Sequence, residues 1–230
     1  MGATQFKSLQ TSAWLVGTLS LLLSAAGVVG QGAFQNLDFE QANIVPVSGL
    51  PSFYVYTVDA LPGWTLDVGS APQPMMYWNV PPASPITASI YQTPDKPVLQ
   101  GLYSVWLMPV SGTPSLFPVL AQTGTIPAGA QSILVDSRPD SHPYTLPLEM
   151  GFAGQQIQLS VVSGSASTFY TYTGDISMFA NQTGTLALWG DAIVDNIRFV
   201  VPEPSVFGLS ALGALLVGWR ILRRDQKRAR

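Results

Sequence analysis

The residue most in need of a chemical explanation is Asp195, in the C-terminal stretch IVDNIRF. Side chains alternate faces along a strand, so Asp195 is expected on the face of Ile193, Ile197 and Phe199. An ionised carboxylate among apolar neighbours is costly unless it is paired or hydrogen-bonded. Arg138 or backbone amides could satisfy it. Alternatively it could share a structural Ca2+ with Glu40, because calcium accepts carboxylate and carbonyl oxygens at about 2.3–2.6 Å. No motif makes a cofactor a requirement.

Aromatic residues are the second chemical resource. An exposed ring offers a sugar a flat apolar face, and Tyr and Trp add a polar handle. Tyr77 and Trp78 form one candidate platform, and Tyr170 and Tyr172, in STFYTYT, form another. The competing expectation is that these rings are core or strand-surface pairs.

Catalytic chemistry finds little support. His142 is the only histidine; it lies in DSRPDSHPY near Asp136 and Asp140. No G-x-S-x-G elbow accompanies it, and H-E-x-x-H, P-loop and dinucleotide motifs are absent. A glycosidase would need only two carboxylates about 5–10 Å apart in space. No spacing singles out such a pair, so a non-enzymatic protein is expected, and a cleft with two facing carboxylates would argue otherwise.

Charge is segregated along the 230 residues. Six of the ten basic residues (Arg220, Arg223, Arg224, Lys227, Arg228, Arg230) lie in the last eleven positions. Between 31 and 201 only Lys96, Arg138 and Arg198 oppose eleven acids, giving 3 − 11 = −8. A region this acidic repels phosphate backbones, which excludes nucleic acid as a partner. The absence of cysteine removes disulfides, thiolate metal sites and cysteine nucleophiles. Stability must come from a hydrophobic core.

Both ends read as addresses. Lys7 is followed by SAWLVGTLSLLLSAAGVVG, apolar and closing on small residues, the pattern of a secretory signal peptide over 1–30. It implies the Sec translocon and a signal peptidase as partners, with cleavage expected after Gly30 and Ala26 as the alternative. Near the other end, 206–222 are apolar apart from Arg220, whose stem can carry its charge to the interface. These seventeen residues span roughly 26 Å as a helix, just enough for a bilayer. The arginines beyond them should stay cytoplasmic, placing 31–201 on the far side of the membrane. The signal peptide requires the same orientation.

Pro202, Glu203 and Pro204, standing before that single helix and the arginine cluster, resemble the PEP-CTERM sorting signal of exported bacterial proteins over residues 201–230. The resemblance implies a Gram-negative host that makes exopolysaccharide. It also implies cleavage of the tail by an exosortase-type enzyme. The protein would sit first in the inner membrane and then at the cell surface or outside the cell.

Between the addresses, 31–200 alternate apolar and polar residues in short stretches separated by Gly and Pro, as strands do. FYVYTV, WTLDV, LYSVWL, SILV, QIQLSVV, TLALW and IVDNIRF are expected strands; in QIQLSVV, Ile157, Leu159 and Val161 should share one face. Only GDISMFAN is expected to make a helical turn, and QTGT, at Gln122 and Gln182, reads as two turns. The prolines between 46 and 147 mark long loops or edge crossings. An all-β sandwich or barrel follows.

FQNLDFE as first strand, LPGW, QTGTIPAGAQSILVDS, GDISMFANQTGTLALW and a closing VDNIRF resemble the jelly-roll domains related to carbohydrate-binding and galactose-binding-like modules. That resemblance implies a jelly-roll β-sandwich in which a structural calcium ties the first strand to the last through Glu40 and Asp195. It supports a fold more than a ligand. The functional expectation is therefore a structural or adhesive surface or matrix protein, with polysaccharide recognition as the alternative and secreted hydrolysis as a third reading.

Overall fold

The structure is a computed structural model and describes residues 33–83, 85–110, 117–139, 147–165 and 167–202. The expected signal peptide, His142, Glu203, Pro204, the 206–222 span and the basic tail lie outside these residues. Among the described residues no helix is long and apolar enough to cross a membrane.

The domain is all-β, built from two sheets. The larger runs β1 (Tyr54–Tyr56), β4 (Met75–Trp78), β5 (Ala88–Gln92), β6 (Tyr103–Leu107), β14 (Ala192–Val200), β8 (Ser132–Pro139), β12 (Tyr170–Asp175), β11 (Ser160–Gly164). The smaller runs β10 (Gln155–Ile157), β9 (Glu149–Phe152), β13 (Thr183–Trp189), β7 (Pro118–Thr125), β2 (Thr65–Val68), β3 (Ala71–Pro72). Pairing is antiparallel except between β4 and β5. Val55, Met76, Ile90, Val105, Val135 and Val194 of the larger sheet share one buried cluster with Leu66, Leu120, Met150, Phe152, Leu186 and Leu188 of the smaller.

Several local expectations are corrected. FYVYTV does not continue as a strand: β1 ends at Tyr56 and Thr57–Ala60 form one helical turn, α1. GDISMFAN does contain a turn of 3-10 helix, Ser177–Phe179. FQNLDFE is not a strand. Asn36 and Phe39 take positive φ (48° and 57°) within a looped segment whose Phe39 is wholly buried against Trp64.

QIQLSVV is divided between the sheets, β10 ending at Ile157 in the smaller and β11 starting at Ser160 in the larger. Ile157 is buried, whereas Val161 is 53% exposed, so the expected common face does not form.

The two QTGT segments are not turns. Gln122–Thr125 lies in β7 and 183–185 in β13, and they pair with each other, Thr125 opposite Thr183, Gly124 opposite Gly184 and Thr123 opposite Thr185. The threonine hydroxyls bond across the strands at 2.8 and 2.9 Å. Gly124 has the Phe34 ring where a Cβ would stand, and Gly184 has Phe152. Gln122 closes the row by donating its Nε2 to Gln35 O at 2.9 Å, fastening the segment that precedes the sheets.

Candidate functional site

The densest polar constellation lies on the outer face of the larger sheet, away from the inter-sheet core. Register partners in antiparallel strands share a face. Tyr91 lies opposite Ser104, Ile193 opposite Trp106, and Asp195 opposite Asp136, itself opposite Thr171. These residues form one band across five strands. Asp136 is fully buried and Asp195 only 1% exposed.

Asp195 stands in this band beside Ile193, and an irregularity follows it. The β14–β8 register shifts between Asp195 and Arg198, and Asn196 has φ of +50°. A bulge of this kind reverses the alternation beyond it. Ile197 and Phe199 therefore turn into the inter-sheet core, while Ile193 packs with Tyr91 and Trp106 on the outer face. Asp195 keeps company with Ile193 and not, as the plain alternation implied, with Ile197 and Phe199.

A strap, residues 93–102, crosses the band. Its Val98 and Leu99 pack on Tyr91, Trp106 and Ile193. Leu99 N–H donates to Ser104 Oγ at 2.8 Å. Gln100 donates twice, from its backbone N–H to Asp195 Oδ2 at 3.0 Å and from its Nε2 to Asp136 Oδ2 at 2.7 Å. At the strap's end Leu102 and Tyr103 N–H both donate to Glu40 Oε1, at 2.8 and 3.1 Å. Just before them Gly101 has φ of +60°, and a Cβ there would overlap Glu40 Oε1. Three acids thus hold one strap.

The acids differ in how their charge is met. Asp136 accepts from Arg198 Nη1 at 3.0 Å, Asn196 Nδ2 at 2.9 Å and Thr171 Oγ1 at 2.7 Å, besides Gln100. Asp195 accepts from Ser104 Oγ at 2.7 Å and Asn196 N–H at 2.6 Å, besides Gln100 N–H. Backbone amides and a serine satisfy it. Arg138 lies opposite Ile193, and the arginine in the cluster is Arg198, bound to Asp136. Burial pushes Asp195 up to about 7, opposed by its three donors and reinforced by the charge of Glu40.

A divalent cation fits this pair in charge, since Glu40 and Asp195 interact and no cationic group bonds either among the described residues. Glu40 Oε2 is free of hydrogen bonds there, whereas Glu40 Oε1 and Asp195 Oδ2 each already accept two. Calcium takes roughly 6–8 oxygens, so carbonyls and water would have to complete the set. No group of three or more His, Cys, Asp or Glu that could hold a metal ion occurs among the described residues.

Among the described residues Asp136 and Asp195 face one another but line no open cleft. Asp136 and Asp195 are cross-strand neighbours, yet Gln100 lies on both and neither reaches solvent.

The aromatic candidates separate. Tyr77 is 8% exposed and packs edge-on against Phe53 and Tyr54. Trp78 is half-buried against the core and donates its Nε1 to Gln92 Oε1 at 3.1 Å. Tyr170 and Tyr172 are half-buried on β12 with ring centroids 6.2 Å apart, in a T-shaped pair. An open groove of about 660 Å³ lies on the other face of β12, lined by Gln131, Ser132, Gln158, Ser160, Thr173, Asp175 and Ser177. Hydrogen bonds from Ser177 to Asp175 hold its carboxyl below the usual carboxylate range. Pro202 follows directly on β14 and Val201.

The sequence pointed to Asp195 and Glu40 but missed Asp136, Gln100, Asn196 and Arg198. The alternation of Ile133, Val135 and Asp136 in SILVDSR was the available signal: it puts Asp136 opposite in direction to two buried apolar residues. A scan against protein-family models finds no match to this chain, and a search of curated proteins finds none either.

Proposed function

We propose that this chain is an exported surface or matrix protein, structural or adhesive in role, whose C-terminal tag is removed by an exosortase-type enzyme. The observation carrying the reading is the boundary at Pro202. The last strand ends at Val200, so a single residue, Val201, separates the sheet from Pro202-Glu203-Pro204 and the expected membrane segment. A tag retained there would hold the sandwich against the bilayer; its removal would free it. The closed outer face supports a non-catalytic role, because the two facing carboxylates are engaged in holding the strap. Replacing Pro202, Glu203 and Pro204 together by alanine is expected to leave the protein at full length in the inner-membrane fraction. Normal release of that variant would overturn the processing step.

A second reading, recognition of a surface polysaccharide, is favoured by the groove at Ser160 and Thr173. Its hydroxyls and amides match the donors and acceptors of a sugar. Glycan-array binding that is lost in Gln158→Ala with Thr173→Ala would support it, and absence of binding to any glycan would end it.

Glu40 and Asp195 would hold a structural Ca2+, which would supply only charge compensation between the strap and β14. Added calcium should then raise the melting temperature of the natural chain but not of Glu40→Gln; equal response, or none, in both contradicts this role.

A further inference from the structure

Each sheet has two outer strands, and unpaired backbone along an outer strand is a template for further pairing unless something blocks it. Three of the four are blocked or short. β1 is covered by the chain before it, through Val47 N–H to Tyr54 O at 2.8 Å, Tyr56 N–H to Val45 O at 3.2 Å and a bridge from Pro46 to Val55. β3 has two residues, one of them Pro72, and β10 has three. β11 is different. It has five residues, all exposed, and among the described residues its ladder is made with β12 alone.

Its chemistry suits a protein partner. Val161 and Val162 are 53% and 55% exposed. The register shift between Val161 and Ser163 drops Val162 from the β11–β12 ladder. Bulges often guard edges by turning them away or presenting charge; this one presents a valine. No charged residue occurs from Met150 through Gly174, which covers β10, β11, the hairpin and all of β12 except Asp175. In a region carrying −8 between 31 and 201, two copies meeting at β11 would bring no like charges face to face.

We infer that β11 is a homotypic docking edge, pairing antiparallel with β11 of a second copy so that two larger sheets become continuous. An antiparallel strand paired with itself is two-fold symmetric, so one sequence supplies both halves. The contact is small, and its occupancy should rise with local concentration. The inference is independent of the sorting reading, since it rests on the sheet edge alone.

The chain has no cysteine, so a single introduced one reports its own neighbourhood. Val161→Cys, Val162→Cys and Ser163→Cys, each in the full chain, are oxidised and run without reductant, with Val58→Cys as control at a 74% exposed site on α1. Directly opposed residues in an antiparallel pair have Cα atoms about 4.5–5.5 Å apart, within disulfide reach. A covalent dimer from at least one β11 variant, absent from Val58→Cys, is expected, together with its loss when Ser160→Lys is added. Cross-linking no stronger than the control, a dimer that survives Ser160→Lys, or a conjugate with a different protein overturns the inference. All these positions are exposed, so the variants retain the buried core.

Discussion

The middle and the end of one sheet pose opposite problems. At the middle, Asp136 and Asp195 sit fully buried beneath Gln100 and are satisfied from four chain segments. At the end, β11 is wholly exposed and carries no charge. The first region holds the molecule together through polar groups that must all stay bonded. The second contributes little to folding and is available for contact. Stability and association therefore reside in separable parts of a single sheet, and substitutions can test that separation.

The largest effect is expected at the middle. Asp136→Ala would strand Arg198, Gln100 Nε2, Asn196 Nδ2 and Thr171 Oγ1 without their acceptor. Arg198 is 37% exposed and can turn to water, but several donors left without an acceptor, at about 1–3 kcal/mol each, cost about 3 kcal/mol or more together, readable as a fall in the urea midpoint. A loss below about 1 kcal/mol, the range of surface pairs, would mean that the cluster is not the fastening described.

Asp195 should give the molecule a pH dependence. Its folded pKa, about 7, exceeds the ordinary 3.8. Between those values the folded state holds a proton that the unfolded state has released, so stability falls as pH rises from about 4 to about 7 and levels off above. In buffer with chelator, Asp195→Asn should flatten that part of the profile, an effect on the order of a few kcal/mol at most. An unchanged slope would assign the dependence to other groups.

Gly101→Ala comes next. It combines an unfavourable φ with displacement of Glu40 from Leu102 and Tyr103, and strain of this kind costs roughly 1–3 kcal/mol. Urea unfolding of Gly101→Ala beside Glu40→Gln would show whether the two losses overlap, as a shared contact requires. At the other end, Val162→Lys should change stability by no more than about 0.5 kcal/mol while weakening association. A large destabilisation there would dissolve the contrast between the two regions.

Much of the fold was legible because alternation is a local signal. WTLDV, LYSVWL, SILV, TLALW and IVDNIRF all contain strands. What escaped was set by distant partners. QTGT has turn-like composition, yet two copies laid opposite one another make a strand pair whose glycines admit Phe34 and Phe152. QIQLSVV alternates without interruption, but the chain changes sheets between Ile157 and Ser160. At the site, Asp195 was conspicuous as a charge in an apolar strand. Its partners were not, because Asn196 reverses the alternation by adopting positive φ, and Gln100 arrives from a strap with no periodic pattern.

On the proposed function, the stretch following Val200 is a temporary hold on an exported sandwich. Its most direct test is intact mass spectrometry of the mature protein recovered outside the inner membrane of cells with an active exosortase-type enzyme. A mass lacking both the N-terminal segment and everything beyond the Pro202-Glu203-Pro204 region is expected. Protein released from those cells with Arg230 still attached would contradict removal of the tail.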